Sequence, residues 1–321
     1  MRKLSKLLGL LCLICSCAAF AQQLPARAVS LVVPFPPGDP TDVLARAIAD
    51  GLGRPLGQPV VVDNKPGAGG NIGGEFVARA KPDGYTLILG TNGVLANGRL
   101  LDPALRFDPQ KDFAAIILVA EAPLLIVAHP DAPFRSLAEL IDYARRNPGK
   151  LDLGVTGTGT LAHLWVELLK SRQGLSATAV PYRGSAPMTT DLLSGRVATG
   201  VASVAAFLTN VRAGKLKAIV ATGVDKVQNA PELATLAEGN FGDLEALAWF
   251  TLAAPAGTPD AIVGRLNTEV AEIMRTERLR NLLAAGGLIH PGGSARQARE
   301  FLDREVAKWG PVIERAQIRI K

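Results

Sequence analysis

An apolar, β-branched run at Val29–Val33 drops into the loop Pro34-Phe35-Pro36-Pro37-Gly38-Asp39-Pro40 and leaves it at once as a helical pattern over residues 41–52. This strand–loop–helix order is the repeating unit of α/β folds. Leu44, Ala47, Ile48 and Leu52 fall on one face of the expected helix, and Asp39 or Thr41 can cap it. A Pro/Gly loop at a helix start gathers unpaired backbone N–H groups where the macrodipole is positive, which makes it a ready site for a carboxylate or other anion. From this loop and the turn after it, Phe35, Pro37, Gly38, Asp39, Thr41 and Asp42 are candidate ligand contacts.

The same alternation continues along the chain. Short β-branched runs predict strands at 29–33, 60–63, 85–89, 116–128, 151–156, 178–180, 216–221 and 247–254, with helices between them. An α/β architecture with largely parallel sheets is the expectation. Ser136-Leu137-Ala138-Glu139 and Ser294-Ala295-Arg296-Gln297 read as capping boxes, the first before a helix that stops at Pro148-Gly149 and the second before a long C-terminal helix. Thr258-Pro259 reads as a cap followed by a first-position proline, opening a helix to about residue 275, and Pro311 is expected to kink or end the last helix. No linker rich in Pro, Gly or Ser divides the chain. The runs at 116–128 and 247–254 are long enough to cross between two lobes, so the chain can leave one lobe and later return to it.

Arg2, Lys3 and Lys6 precede the apolar run 7–14 and then Ala19-Phe20-Ala21, the pattern of a cleavable secretory signal over 1–21. The alternative makes Cys17 a lipid-attachment site. The apolar core falls short of the roughly 20 residues that cross a bilayer, so the mature protein is expected to be exported to the periplasm as a soluble protein. Cys12, Cys15 and Cys17 all lie in that leader, which leaves the exported part without cysteine for disulfides or metal. The formal charge of +6 includes the three leader cations, and without them it is +3. No basic run with interleaved aromatics occurs, which argues against nucleic-acid binding.

Seven blocks, VPFPPGDPTDVLAR, VVVDNKPGAGGNIGGE, KPDGYTLILGTNG, TGTGTLAHLWVELL, VPYRGSAPMTTDLL, VRAGKLKAI and WFTLAAPAGTP, follow one another in unbroken order. In these the chain resembles the Bug family, the periplasmic receptors of tripartite tricarboxylate transporters. The resemblance implies a two-lobed, type II periplasmic-binding-protein fold with two hinge crossover strands. Lobe 1 would comprise 22–123 and 249–321, and lobe 2 would comprise 124–248. It also implies capture of a small organic acid for delivery to the membrane subunits of a transporter, with no catalysis and no cofactor, by a monomer. A ligand sensor for a membrane kinase is the contrasting receptor role, and an exported hydrolase the contrasting enzyme. Against the latter, G-x-S-x-G, H-E-x-x-H and Walker patterns are absent and only three histidines are available as bases.

Each block has its own physics. The stretch Asn64-Lys65-Pro66-Gly67-Ala68-Gly69-Gly70-Asn71 is either a tight turn capped by Asn71 or a ligand contact. Thr91 and Asn92 stand at the carboxyl end of a strand, where open α/β sheets bind ligands. Gly157-Thr158-Gly159-Thr160-Leu161-Ala162 formally fits a dinucleotide fingerprint, yet no acidic residue stands near the end of the next strand, at 179–182. The same geometry suits a carboxylate, with Thr158, Thr160 and backbone N–H groups as donors. His163 pairs by spacing with Glu167 and fits a ligand-proximal or loop-locking role, and His129 and His290 show no metal-ligand spacing to it. By the resemblance, Gly184 and Ser185 line the cleft, while Arg183 either clamps a carboxylate or sits on the surface.

Two departures from the family stand out. Asp39-Pro40 replaces a glycine run, so that Asp39 either caps the helix or projects into the cleft. Ala202-Ser203 stands where the family places an Asp-Asn pair, which implies a ligand less polar at its far end than a dicarboxylic amino acid.

Overall fold

The computed structural model describes residues 26–320; the expected leader with its three cysteines lies outside them. The first lobe is built on β1 (Val29–Val33), parallel to both β2 (Val60–Asn64) and β3 (Thr86–Gly90). Alternate residues of β1 enter different cores: Leu31 and Val33 pack with α1 (Pro40–Leu56), and Val32 packs on the opposite face with Ile88 and Val77 of α2 (Asn71–Ala78). Both faces are covered, which is why the run is continuously apolar rather than alternating.

Two long strands then connect the halves. β4 (Phe113–Ala128) pairs along residues 113–123 with β9 (Leu247–Pro255), and over Leu124–Ala128 with β7 (Thr199–Ser203) and β8 (Lys217–Ala221) instead. With β5 (Leu151–Val155) and β6 (Ala177–Pro181), the strand path is β2-β1-β3-β9-β4-β7-β5-β6, with β8 attached to β4. Register shifts at Ala115/Ile117 and Leu118/Ala120 mark bulges on β4, and bulges bend a strand where it crosses. The second lobe places β5 (Leu151–Val155) parallel to β6 (Ala177–Pro181) and β7. Its core holds Leu140 of α3 (Leu137–Arg146) and Trp165 and Leu169 of α4 (Leu161–Gln173) on one face. Met188 of α5 (Ser185–Leu193) and Phe207 of α6 (Val204–Arg212) fill the other.

The chain returns through β9 to α7 (Asp260–Met274), α8 (Glu277–Gly286) and α9 (Ala295–Ala316). Ala298 and Leu302 of α9 pack in the first lobe, but Trp309, Val312 and Ile313 join the cluster of Trp165 and Leu164 in the second. One helix therefore straddles both lobes. Among the described residues no helix is long and apolar enough to cross a membrane.

Several local expectations are corrected. The sheets are mixed, with four parallel and four antiparallel strand pairings among the described residues, because both crossing strands run against their neighbours. β7 was not legible: Thr199-Gly200-Val201-Ala202-Ser203 lacks a β-branched run, and flanking strands make it one. α9 passes through Pro311, held by the buried side chains on either side of it. Thr258 does not cap α7; its hydroxyl donates to Pro255 O and Pro259 occupies the cap position. Asn71 does not cap α2, since Gly70 holds that position. Both serine caps form, but only Ser294 completes the box, because Glu139 accepts from Arg135 N instead of Ser136 N.

Candidate functional site

A cavity of ≈ 290 Å³ lies between the lobes. The first lobe contributes Phe35 from the loop after β1, Ala68, Gly69 and Asn71 from the turn before α2, and Thr91, Asn92 and Gly93 from the end of β3. Asn97, Gly98 and Leu101 continue the wall, on a π-helical turn Gly93–Asn97 that runs into the helical turn Gly98–Leu101. The second lobe contributes Thr158, Gly159 and Thr160 from the loop before α4, with Leu161 and Leu164 from the helix itself. Ile320, beyond α9, closes one side and donates its N–H to Leu101 O at 3.0 Å.

The loop before α4 is organised by neutral groups. Thr160 Oγ1 donates to Gly157 O at 2.8 Å and accepts from His163 N at 3.4 Å, so it is the N-cap. Gly159 N–H donates to His163 Nδ1 at 3.1 Å, which requires that nitrogen to be unprotonated. Burial is the main cause that lowers the His163 pKa, with Lys170 acting the same way and Glu167 against it. The histidine therefore locks the loop and lies outside the cavity lining. The N–H groups of Leu161 and Ala162, in the first turn of α4, have no intrahelical acceptor. Gly159 has φ +74°, and a Cβ there would come within 2.9 Å of Ile320, so glycine lets the lobes touch.

The loop after β1 is organised by its own carboxylates. Asp39 Oδ1 accepts from Thr41 N at 2.8 Å and caps α1. Asp42, 2% exposed, accepts from Gly38 N and Arg46 Nε at 2.9 Å each and from Asn64 Nδ2 at 2.9 Å. The Arg46 hydrogen bond, aided by Gly38 and Asn64, holds the Asp42 carboxyl at about 2 against the opposing effect of burial. Asn64 Nδ2 also donates to Phe35 O at 3.0 Å. Of the six candidates here only Phe35 lines the cavity: Pro37 and Gly38 are exposed, Thr41 and Asp42 are buried beneath the loop, and Asp39 faces its helix.

Thr91, Asn92, Thr158 and Thr160 do line the cavity. The Asn92 amide, however, points into the protein, donating to Glu305 Oε2 at 3.2 Å and accepting from Trp249 N at 3.5 Å. Glu305 Oε2 also accepts from Trp249 Nε1 at 2.8 Å and Trp309 Nε1 at 3.1 Å, tying a crossing strand and α9 to the cavity wall. Glu121, on the other crossing strand, is pushed up to about 7 by burial and by Glu305 and Glu245. Gly184 and Ser185 start α5, outside the lining, and Arg183 is exposed. Ala202 is buried in the core and Ser203 is exposed at the start of α6, neither of them on the cavity. Sequence reasoning passed over Asn97, Leu101, Leu161, Leu164 and Ile320; the available signal was an asparagine inside the apolar run Val94-Leu95-Ala96-Asn97, five residues after Asn92.

The family model for the tripartite tricarboxylate transporter family receptor matches residues 44–318. The chain is similar to protein BugT of Bordetella pertussis, 35% identical over 302 residues that cover 94% of this chain and 93% of that one. It is similar in structure to R. palustris Rpa4515 with adipate, at 39% identity and a TM-score of 0.78 over 92% of this chain and 99% of that one. It is likewise similar to MatC (Rpa3494) from Rhodopseudomonas palustris with bound malate, at 31% identity and a TM-score of 0.74 over 90% and 100% of the two chains. The two-lobed periplasmic-binding-protein fold expected from the sequence is the fold found.

Proposed function

We propose, on the premise that this chain belongs to the tripartite tricarboxylate transporter receptor family, that the cavity between its lobes captures a small carboxylate. The family consists of periplasmic solute-binding receptors, so the protein is a binding protein that serves transport. One observation supports the assignment of the site: residues of both lobes line the same cavity, the start of α4 from one side and the Asn71 and Thr91–Gly93 turns from the other. An anion satisfied by both at once binds the closed arrangement better than the open one, and only that difference can favour closure.

In this reading β4 and β9 are the hinge, with 22–123 and 249–321 forming one lobe and 124–248 the other, and the end of α9 packs against the second lobe. The leader 1–21 is removed on export, and the receptor works as a monomer. The loaded receptor docks on the membrane subunits of a tripartite transporter. Adipate and malate, held by the similar proteins, are the first ligands to test. Native mass spectrometry of the purified protein, followed by calorimetric titration with these acids, checks the reading: a retained or saturably bound carboxylate is expected. Failure of every small carboxylate to bind or to raise the melting temperature would overturn it.

A further inference from the structure

A groove of ≈ 530 Å³ runs between the last turns of α4 and of α9, with Asp243 of the turn Gly242–Leu244 on its wall, and shares no lining residue with the ligand cavity. Its floor is apolar: Leu168 of α4 and Val312 of α9 are buried, and Pro311 is exposed beside them. Three cations line it, Arg172, Lys308 and Arg315, against the one acid, Asp243. Among the described residues Arg172 makes no hydrogen bond or ion pair. Lys308 Nζ donates to a backbone oxygen, Glu245 O, and stands 5.1 Å from the centre of the Trp309 ring. Arg315 donates to Ser171 Oγ. No carboxylate therefore answers any of the three.

The same helices do pair cations elsewhere: Lys170 meets Glu167 at 2.7 Å, and Arg299 meets Asp303 at 3.2 Å. Arg172 and Arg315 lie in the last turns of their helices, where the macrodipole favours cations. That field explains their presence, but not their convergence with Lys308 over one apolar floor. Pro311 points the same way. A proline inside a helix forgoes one backbone hydrogen bond, here the one to Ala307 O, and its ring is exposed on the groove.

An acidic segment with a small apolar face fits these walls. Complementary charge steers it in and fixes its register, and the floor supplies the buried contact. A bilayer surface does not suit them, because Leu168 and Val312 are recessed and none of the exposed large hydrophobic residues of the described chain stands in the lining to enter a membrane. Resting on the transport reading above, we propose that this groove is a docking site for an acidic, amphipathic helical segment of the membrane subunits that the receptor serves. The partner would then sit on the helix that touches the ligand, since Leu164 lines the ligand cavity and Leu168, one turn on, lines the groove.

The test is fluorescence anisotropy of the purified protein, at low ionic strength, with a labelled peptide of three Glu-Ala-Leu-Leu-Glu-Ala-Ala repeats. Saturable binding is expected, and Arg172→Glu combined with Arg315→Glu should weaken it about tenfold or more. The charge-matched control, Arg183→Glu combined with Lys150→Glu, should stay within about twofold. If the first pair does not melt cooperatively, Arg172→Glu alone, at an exposed side chain without partners, carries the comparison with an expected loss of about threefold. Equal weakening by both pairs, no peptide binding, or binding to phosphatidylglycerol vesicles in place of the peptide would each overturn the proposal. Titration with adipate and malate keeps the carboxylate reading separate: affinity for an acid that binds should change by less than about twofold in the Arg172→Glu and Arg315→Glu protein. Failure of every acid overturns that reading and leaves the peptide result standing. A p-benzoylphenylalanine placed at Ala307 in the cells that make the protein should cross-link to an acidic segment of an integral membrane protein. A cross-link to soluble protein alone, or none, overturns the membrane assignment.

Discussion

The junctions β1–α1 and β5–α4 share one design, a strand ending in a glycine-bearing loop that opens into a helix, yet they hold their helix N-termini in opposite ways. At β1–α1 the positive end is met by two carboxylates of the chain itself, Asp39 on Thr41 N and Asp42 on Gly38 N, with Arg46 and Asn64 completing the set. At β5–α4 the cap is the neutral Thr160 and the loop lock is the unprotonated Nδ1 of His163, and among the described residues no carboxylate caps that helix start. A helix start that supplies its own anion is a fastening, and one that uses neutral caps keeps its field for a ligand. The lining follows this difference: one residue of the first loop reaches the cavity, against three residues of the second loop and two of its helix.

The strongest way to break the contrast is Asp42→Ala. Its loss leaves Gly38 N–H and the Asn64 amide short of a partner beneath the loop and should cost about 2–4 kcal/mol in chemical denaturation, while ligand affinity of the folded protein changes by less than about threefold. A collapse of affinity larger than the loss of stability would put the β1–α1 junction back in the site. The same carboxylate sets an acid limit. Because its folded pKa of about 2 lies below the ordinary 3.8, its contribution is complete above the ordinary value and is lost as pH falls through about 2. The stability gap between wild type and Asp42→Asn should accordingly close over that window.

The converse change is Leu161→Pro. Proline suits the first position of a helix, and Thr160 already has the extended conformation, ψ 160°, that a residue before proline needs. The substitution deletes one N–H from the first turn of α4 with little backbone disturbance, and about tenfold loss of affinity is expected. Leu161→Ala is the control for the side chain, and equal losses in both would remove the N–H from the site.

The contrast also explains what the sequence revealed and what it hid. Strands and helices with their own signal, such as Val29–Val33 or the box at Ser294, came out nearly to the residue, since period and capping are local properties. Both junctions were visible as anion-ready loops for the same reason. Which loop faces the cavity was not visible, because it depends on where Asn64 of β2 and Arg46 one turn along α1 bring their side chains. Asn97 and Ile320 escaped for a related reason: the π turn and the segment after α9 acquire their positions only when the lobes pack.

Smaller effects refine the β5–α4 side. Thr160→Val removes the acceptor for His163 N and the donor to Gly157 O, at a cost of about 1 kcal/mol in stability, and differential scanning calorimetry beside a ligand titration should find affinity reduced several-fold. The histidine lock should respond to acid. A His pKa lowered below 6.5 means that the locked form is complete above that value and is lost as pH falls through the folded one. Affinity measured at falling pH should decline by about threefold where the His163→Phe variant, with no ring nitrogen to protonate, shows no such decline.

The smallest expected effect bears most directly on the departure at Asp39. Asparagine caps a helix about as well as aspartate, so Asp39→Asn should stay within about 0.5 kcal/mol of wild type. It deletes a negative charge at the edge of a site that binds anions. If that carboxylate faced the ligand, its removal would raise affinity for an acid about tenfold. Held on Thr41 N at 2.8 Å and half-buried against its own helix, it should instead change affinity by less than about twofold at physiological salt, where charges beyond about 8 Å are screened. Titrating one carboxylate into wild type and Asp39→Asn at low and at physiological ionic strength separates the two cases: a rise that persists in salt would mean that both junctions share the ligand, and a rise confined to low salt would mean that the β1–α1 carboxylates act only through their distant field.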